Sequence, residues 1–200
     1  MSHKVCCEAW TYEELDDEAK AVARNNWREG HLDYEWWDFV YDDAKQCAEL
    51  IGINIKDIWF NMHCQGAGAC WEGSYNYVKG SVKAIKQHAP KDEDLHRIAE
   101  TLQEIQKSYF YSIFAQSVHR GWYNHEGTME ISADVDTDMC NHCLDRKDYE
   151  ALRDALREYA RWIHQRLEEE YDWLMADAQI EESIITNEVN FHKNGKVIRL

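Results

Sequence analysis

From residue 148 to residue 174 the apolar side chains Leu152, Leu156, Tyr159, Ile163, Leu167, Tyr171 and Leu174 recur every three or four positions. That spacing places them on one stripe of a long α-helix, and such a stripe needs an apolar surface to lie against. The middle of the chain offers one. After Gly52 the period falls to two: Ile53, Ile55 and Ile58, with Trp59 and Phe60, predict a strand to about Met62. Residues 70–78 predict a second strand after the loop 63–68, and residues 112–120 and 128–136 read as another antiparallel pair.

Helical periods occupy the remaining blocks. Thr11 and Glu14 have the spacing of a capping box, predicting a helix from Thr11 with Leu15, Ala19, Val22 and Ala23 on one side and Gly30 as its stop. Residues 34–51 carry Trp37, Val40, Tyr41, Ala44, Cys47, Ala48 and Ile51 on one stripe. A short helix over 81–88 ends before Pro90. Asp92 or Asp94 caps a longer one with Leu95, Ile98, Ala99, Leu102, Ile105 and Tyr109. Asn194 and Gly195 signal a type I′ hairpin between residues 189–192 and 196–198. Helices and hairpins in separate blocks predict an α+β fold, with an antiparallel sheet of about four to six strands packed against several helices including the long C-terminal one. One proline and nine glycines leave no flexible linker, so residues 1–200 read as a single domain.

A net charge of −16 is compatible with this core because 44% of residues are hydrophobic, with nine Trp and eleven Tyr. Seven cysteines at irregular spacing fit reduced thiols better than a disulfide framework. No apolar run has the length of a signal sequence or a membrane span, so a soluble, cytoplasmic protein is expected.

The charge is uneven: residues 1–50 hold thirteen acidic and five basic side chains. Such a field repels nucleic acid and anionic membranes and favours basic protein partners. Asp33, Glu35, Asp38, Asp42, Asp43 and Glu49 fall in or beside the 34–51 helix. At i, i+4 and i+7 their carboxylates would repeat every 5–6 Å or so, close to the roughly 7 Å between phosphates of an extended strand. With Trp36, an aromatic of the type enriched in binding hot spots, they form the candidate partner-binding set. A face kept acidic for solubility, with Trp36 in the core, is the plainer alternative.

No catalytic motif accompanies the charge, and no enzyme is expected. Gly66 and Gly68 precede a strand, whereas a phosphate-binding loop precedes a helix. The histidines lack the spacing of a zinc hydrolase, and no serine elbow is present. His125 and Glu126 beside Tyr123 read as a polar loop. Cys140 and Cys143 have the spacing of half a zinc knuckle. Zinc there would need ligands from His63, Cys64, Cys70, His119, His125 or the Cys6, Cys7 pair; ordinary reduced thiols are the other reading, and no other cofactor is expected.

The segments Asp33-Tyr-Glu-Trp-Trp-Asp38, Gln65-Gly-Ala-Gly-Ala-Cys-Trp-Glu-Gly-Ser-Tyr75 and Leu95-His-Arg-Ile-Ala99, following Thr11-Tyr-Glu-Glu-Leu15, resemble a family of acidic bacteriophage and prophage proteins. Some of its members carry an antitoxin label. The resemblance covers about residues 10–190 and implies no reaction and no catalytic residue. Family members look like Gln-Gly-Asp-Gly-Ala where this chain has Ala67, and Cys140 and Cys143 lie outside the family pattern. Together with the charge, the resemblance implies an inhibitor acting in the host cytoplasm on a nucleic-acid-handling defence system, of the anti-CRISPR or antirestriction type. Its partner would be a basic nucleic-acid-binding host protein or complex. An antitoxin or adaptor binding a basic host or phage protein, and a structural zinc-binding protein, remain the alternatives.

Overall fold

The computed structural model describes residues 8–62, 66–136 and 143–198. They form α1 (Asp17–His31), α2 (Asp38–Leu50), β1 (Ile53–Asn61), β2 (Gly68–Asn76), α3 (Ser81–His88), α4 (Glu93–Ser108), β3 (Ile113–His119), β4 (Met129–Val135), α5 (Arg146–Met175) and α6 (Asp177–Thr186). The fold is α+β, with an antiparallel four-stranded sheet and the long C-terminal helix that the periodicity predicts. No helix is long and apolar enough to cross a membrane among the described residues. The chain divides into a central unit, Trp37–Glu168, and a terminal unit made of Met1–Trp36 and Glu169–Leu200.

In the central unit the strands lie in sequence order, β1-β2-β3-β4, with α3 and α4 inserted between β2 and β3. Alternation sorts the side chains: Ile53, Ile55, Ile58, Tyr75, Ile113, Ala115, Met129, Ile131 and Val135 are buried. The helices contribute Leu95, Ile98 and Leu102 from α4, and Leu152, Leu156, Tyr159, Ile163 and Leu167 from α5. Each fully buried side chain of this kind contributes about 1.5–3 kcal/mol. The spacing Ile53, Ile55, Ile58 breaks strict alternation by one residue, and the sheet absorbs it with a bulge between Ile55 and Asp57. Opposite lies Gly73, where a Cβ would fall 1.9 Å from the Asn54 carbonyl oxygen. Trp71 is fully buried, and its indole donates to the Leu156 carbonyl at 3.4 Å. Gln106 is buried without apolar character; its side chain donates to the Ile113 carbonyl (2.7 Å) and accepts from the Ile113 N–H (3.0 Å). It thereby closes the end of β3 as a backbone partner would.

The opposite face of β3 carries exposed Phe114 and Val118. The Trp59 ring stacks on His119 at 5.2 Å. In the loop after β3, Trp122 is 96% exposed.

In the terminal unit the capping box between Thr11 and Glu14 forms, but on a single 3-10 turn, Tyr12–Glu14. The helix starts later than predicted. Leu15 takes an extended conformation that buries its side chain, and Asp16 caps α1 by accepting the Ala19 N–H at 2.8 Å. Tyr12, Leu15, Ala19, Ala23, Ile180, Ile184 and Phe191 form the core of this unit, with Trp10, Trp27, Val189 and Val197 against it. Phe191 bridges both Trp10 and Val197. Arg24 binds Glu181 (2.8 Å), Asp177 (3.4 Å) and the Tyr12 hydroxyl (2.8 Å).

The turn at Asn194 and Gly195 is present, but not as type I′. The His192 carbonyl accepts the Gly195 N–H at 2.9 Å, the His192 N–H donates to the Lys196 carbonyl at 2.8 Å, and Gly195 has φ +77° while Asn194 does not turn positive. This is the three-residue loop with a left-handed glycine bulge. A Cβ on Gly195 would lie 2.1 Å from the Ala19 carbonyl oxygen.

Candidate functional site

The structure separates the predicted partner-binding set. Asp33, Glu35 and Trp36 belong to the terminal unit and precede α2, so Asp33 and Glu35 are exposed but outside the helical repeat. Trp36 is buried to 7% exposure with its ring 5.7 Å from that of Tyr171, a core residue and not an exposed anchor.

Asp38, Asp42, Asp43 and Glu49 are exposed on α2. At about 100° per residue, Asp38, Asp42 and Glu49 fall within about 40° of one another. None of the three forms an ion pair among the described residues. Half-buried Lys45 lies on the same side, so the stripe carries two net negative charges. Four acids of α4 and α5 are paired instead: Asp94 and Glu158 share Arg97 (2.8 Å each), Glu100 binds Lys86 (2.5 Å), and Glu150 binds Arg146 (2.9 Å).

Asp43 turns away from the stripe and lines a cavity of about 610 Å³ in the central unit. Cys47, His88, Lys91, Asp92, Trp162 and Arg166 share its walls. Asp43 and Cys47 stand one turn apart on α2, and His88 is the last residue of α3. Donor atoms of these three lie within 4.8 Å of one another, with His88 Nε2 3.9 Å from Asp43 Oδ1. The surrounding wall is well fixed. Asp92 accepts the Leu95 N–H (3.0 Å) as the cap of α4 and the Trp162 indole N–H (2.8 Å), and Tyr159 donates to the Ala44 carbonyl (2.5 Å).

Burial pushes the Cys47 thiol up to about 12, and the Asp43 and Asp92 carboxylates add to the rise against an opposing effect of Arg166. Reactive cysteines sit in electropositive surroundings, so this environment disfavours a nucleophilic role for Cys47. What the three side chains offer is a set of cation donors: carboxylate, sulfur and imidazole.

The remaining candidates take structural places. Cys140 lies outside the described residues, as do His63, Cys64, Cys6 and Cys7; Cys143 is exposed. Cys70 is buried in β2. Gly68 opens β2, so a strand does follow the glycine loop. His125 accepts the Gly127 N–H at 3.0 Å, and Glu126 lies 3.5 Å from Arg161.

Sequence places Asp43 in the candidate partner-binding set, Cys47 on the apolar stripe of the same helix and His88 at the end of the 81–88 helix. Their four-residue spacing on one helix was available as a signal. His88 had none, because its approach depends on how α3 packs beside α2.

The central unit combines an antiparallel meander sheet, with two helices inserted in its middle, and a cavity beside α2. The chain belongs to the DUF8835 family, described as a domain of unknown function, whose model matches residues 36–177 and so spans the whole central unit. No match to the chain is found among curated proteins or solved structures.

Proposed function

We propose that this chain is a phage-encoded inhibitor that docks the acidic stripe of α2 on a basic, nucleic-acid-handling defence complex in the bacterial cytoplasm, standing in for DNA or RNA phosphates. The observation that carries this reading is the set Asp38, Asp42 and Glu49, which share one stripe of α2 and form no ion pair among the described residues, whereas Asp94, Glu100, Glu150 and Glu158 on α4 and α5 have basic partners. Asp38 and Asp42 are four residues apart, a rise of about 6 Å along the helix, near the spacing of successive phosphates on an extended strand. The overall charge of −16 accelerates encounter with a basic surface and repels nucleic acid itself.

The test is plating efficiency of a targeted phage on bacteria that carry a CRISPR or a restriction system and express this protein. The expected result is restored plating with the natural sequence and loss of that effect in the triple variant Asp38→Asn, Asp42→Asn, Glu49→Gln, with an unchanged circular dichroism spectrum. Full activity of the triple variant, or no effect of the natural sequence on either system, overturns the reading.

A further inference from the structure

We propose that Asp43, Cys47 and His88 form a site for one divalent transition-metal ion of the zinc class, with a further coordination position open to the cavity. The donor set carries the choice of ion. Sulfur and imidazole together select a borderline-soft metal such as zinc over magnesium or calcium, which take oxygen donors. A single carboxylate completes three protein ligands, the number that leaves a fourth tetrahedral position for water or another oxygen donor.

Geometry supports the same ion. Metal–ligand distances of 2.0–2.3 Å in a tetrahedron put donor atoms about 3.3–3.8 Å apart. The separation of 3.9 Å between His88 and Asp43 is already near this, and since all three donor atoms lie within 4.8 Å of one another, an adjustment of at most about one ångström brings them to it. Two ligands one turn apart on α2 share a rigid backbone, and Tyr159 ties that turn to α5 through the Ala44 carbonyl. Cys47 is 1% exposed, lines the cavity, and its thiol makes no hydrogen bond among the described residues.

Charge around the site favours a cation. Asp92, Glu93 and Asp94 stand on the cavity wall against Lys91 and Arg166. His88 lies at the C-terminal end of α3, where the helix dipole places negative partial charge.

The experiment uses the full chain, stripped with a chelator and titrated with Zn²⁺ and with Co²⁺. Metal analysis measures stoichiometry, and absorption measures the thiolate-to-cobalt charge-transfer band. One ion per chain is expected, bound with loss of the Cys47 thiol proton to solvent as the sulfur–metal bond forms, and with a charge-transfer band that disappears in Cys47→Ser. His88 is half-exposed at a helix end, so His88→Ala keeps the fold and still decides the matter if Cys47→Ser unfolds: its affinity should fall more than about 100-fold, a larger loss than removal of an outer-shell partner. The double variant Cys140→Ser, Cys143→Ser should bind as the natural sequence does. Absence of stoichiometric metal, unchanged affinity in His88→Ala, or loss of binding in the Cys140, Cys143 variant overturns the assignment.

Discussion

Every strand of the central sheet pairs with its neighbour in sequence, whereas the terminal unit joins the two ends of the chain, Trp10 to Phe191 and Arg24 to Glu181. The two also differ in what fills them. The central core is rich in Ile, Leu and Trp from regular stripes, while the terminal core combines two alanines of α1, two isoleucines of α6 and aromatic residues from irregular segments. A pairing of chain ends closes the longest loop available, at an entropy cost that grows only slowly with length, so it is sustainable but leaves little trace in local periodicity. The family match follows the same division, spanning the central unit and leaving most of the terminal one outside.

The largest expected effect tests the central core. Trp71→Ala should cost about 3–5 kcal/mol, read as the shift in the urea midpoint; a cost below about 1 kcal/mol would mean that the sheet does not depend on this side chain. Gly195→Ala probes the terminal unit. Positive φ and the approach of the Ala19 carbonyl should together cost about 2–3 kcal/mol, with amide exchange rising first in α1 and α6. Equal loss of protection in β1 to β4 would break the distinction between the two regions. Gln106→Leu leaves the Ile113 N–H and carbonyl without their partners and should cost about 1–3 kcal/mol, sharpening the case that a polar side chain anchors β3. Arg24→Ala should cost about 1 kcal/mol and lose part of that difference at high salt, as its partners Asp177 and Glu181 are partly exposed.

The smallest effect is in pH. Burial raises the Cys70 thiol from 9.0 to about 11 and the Tyr75 hydroxyl from 10.0 to about 12. Folding therefore favours the protonated forms. Their contribution is complete below about pH 9 and is lost as pH rises through the folded values toward 12. The urea midpoint should fall between pH 9 and pH 12, and less steeply in Cys70→Ala; an unchanged midpoint would show that neither group is as buried as the sheet places it.

Much of the central unit was legible because its information is local. The stripes of α4 and α5 and the two hairpins follow from spacing; the choice of Asp92 over Asp94 as the cap of α4, and the bulge between Ile55 and Asp57, came from the structure. Helix starts were less legible. Residues 34–37 carry a helical pattern, yet Trp36 is packed against Tyr171, and α2 begins at Asp38. The same limit applied to Leu15, whose burial delays α1. Of the cavity site, Asp43 and Cys47 were visible as neighbours on one helix, while His88 arrives through the packing of α3, which no local pattern records.

Trp122 has an optical consequence. An indole left 96% in water emits from a solvent-relaxed excited state, while Trp36, Trp71 and Trp162 are shielded at 7%, 0% and 5%. Iodide or acrylamide should therefore quench the red edge of the emission before its blue side. Any molecule that settles over the loop after β3 would announce itself by a blue shift and slower quenching, with no label attached to the chain.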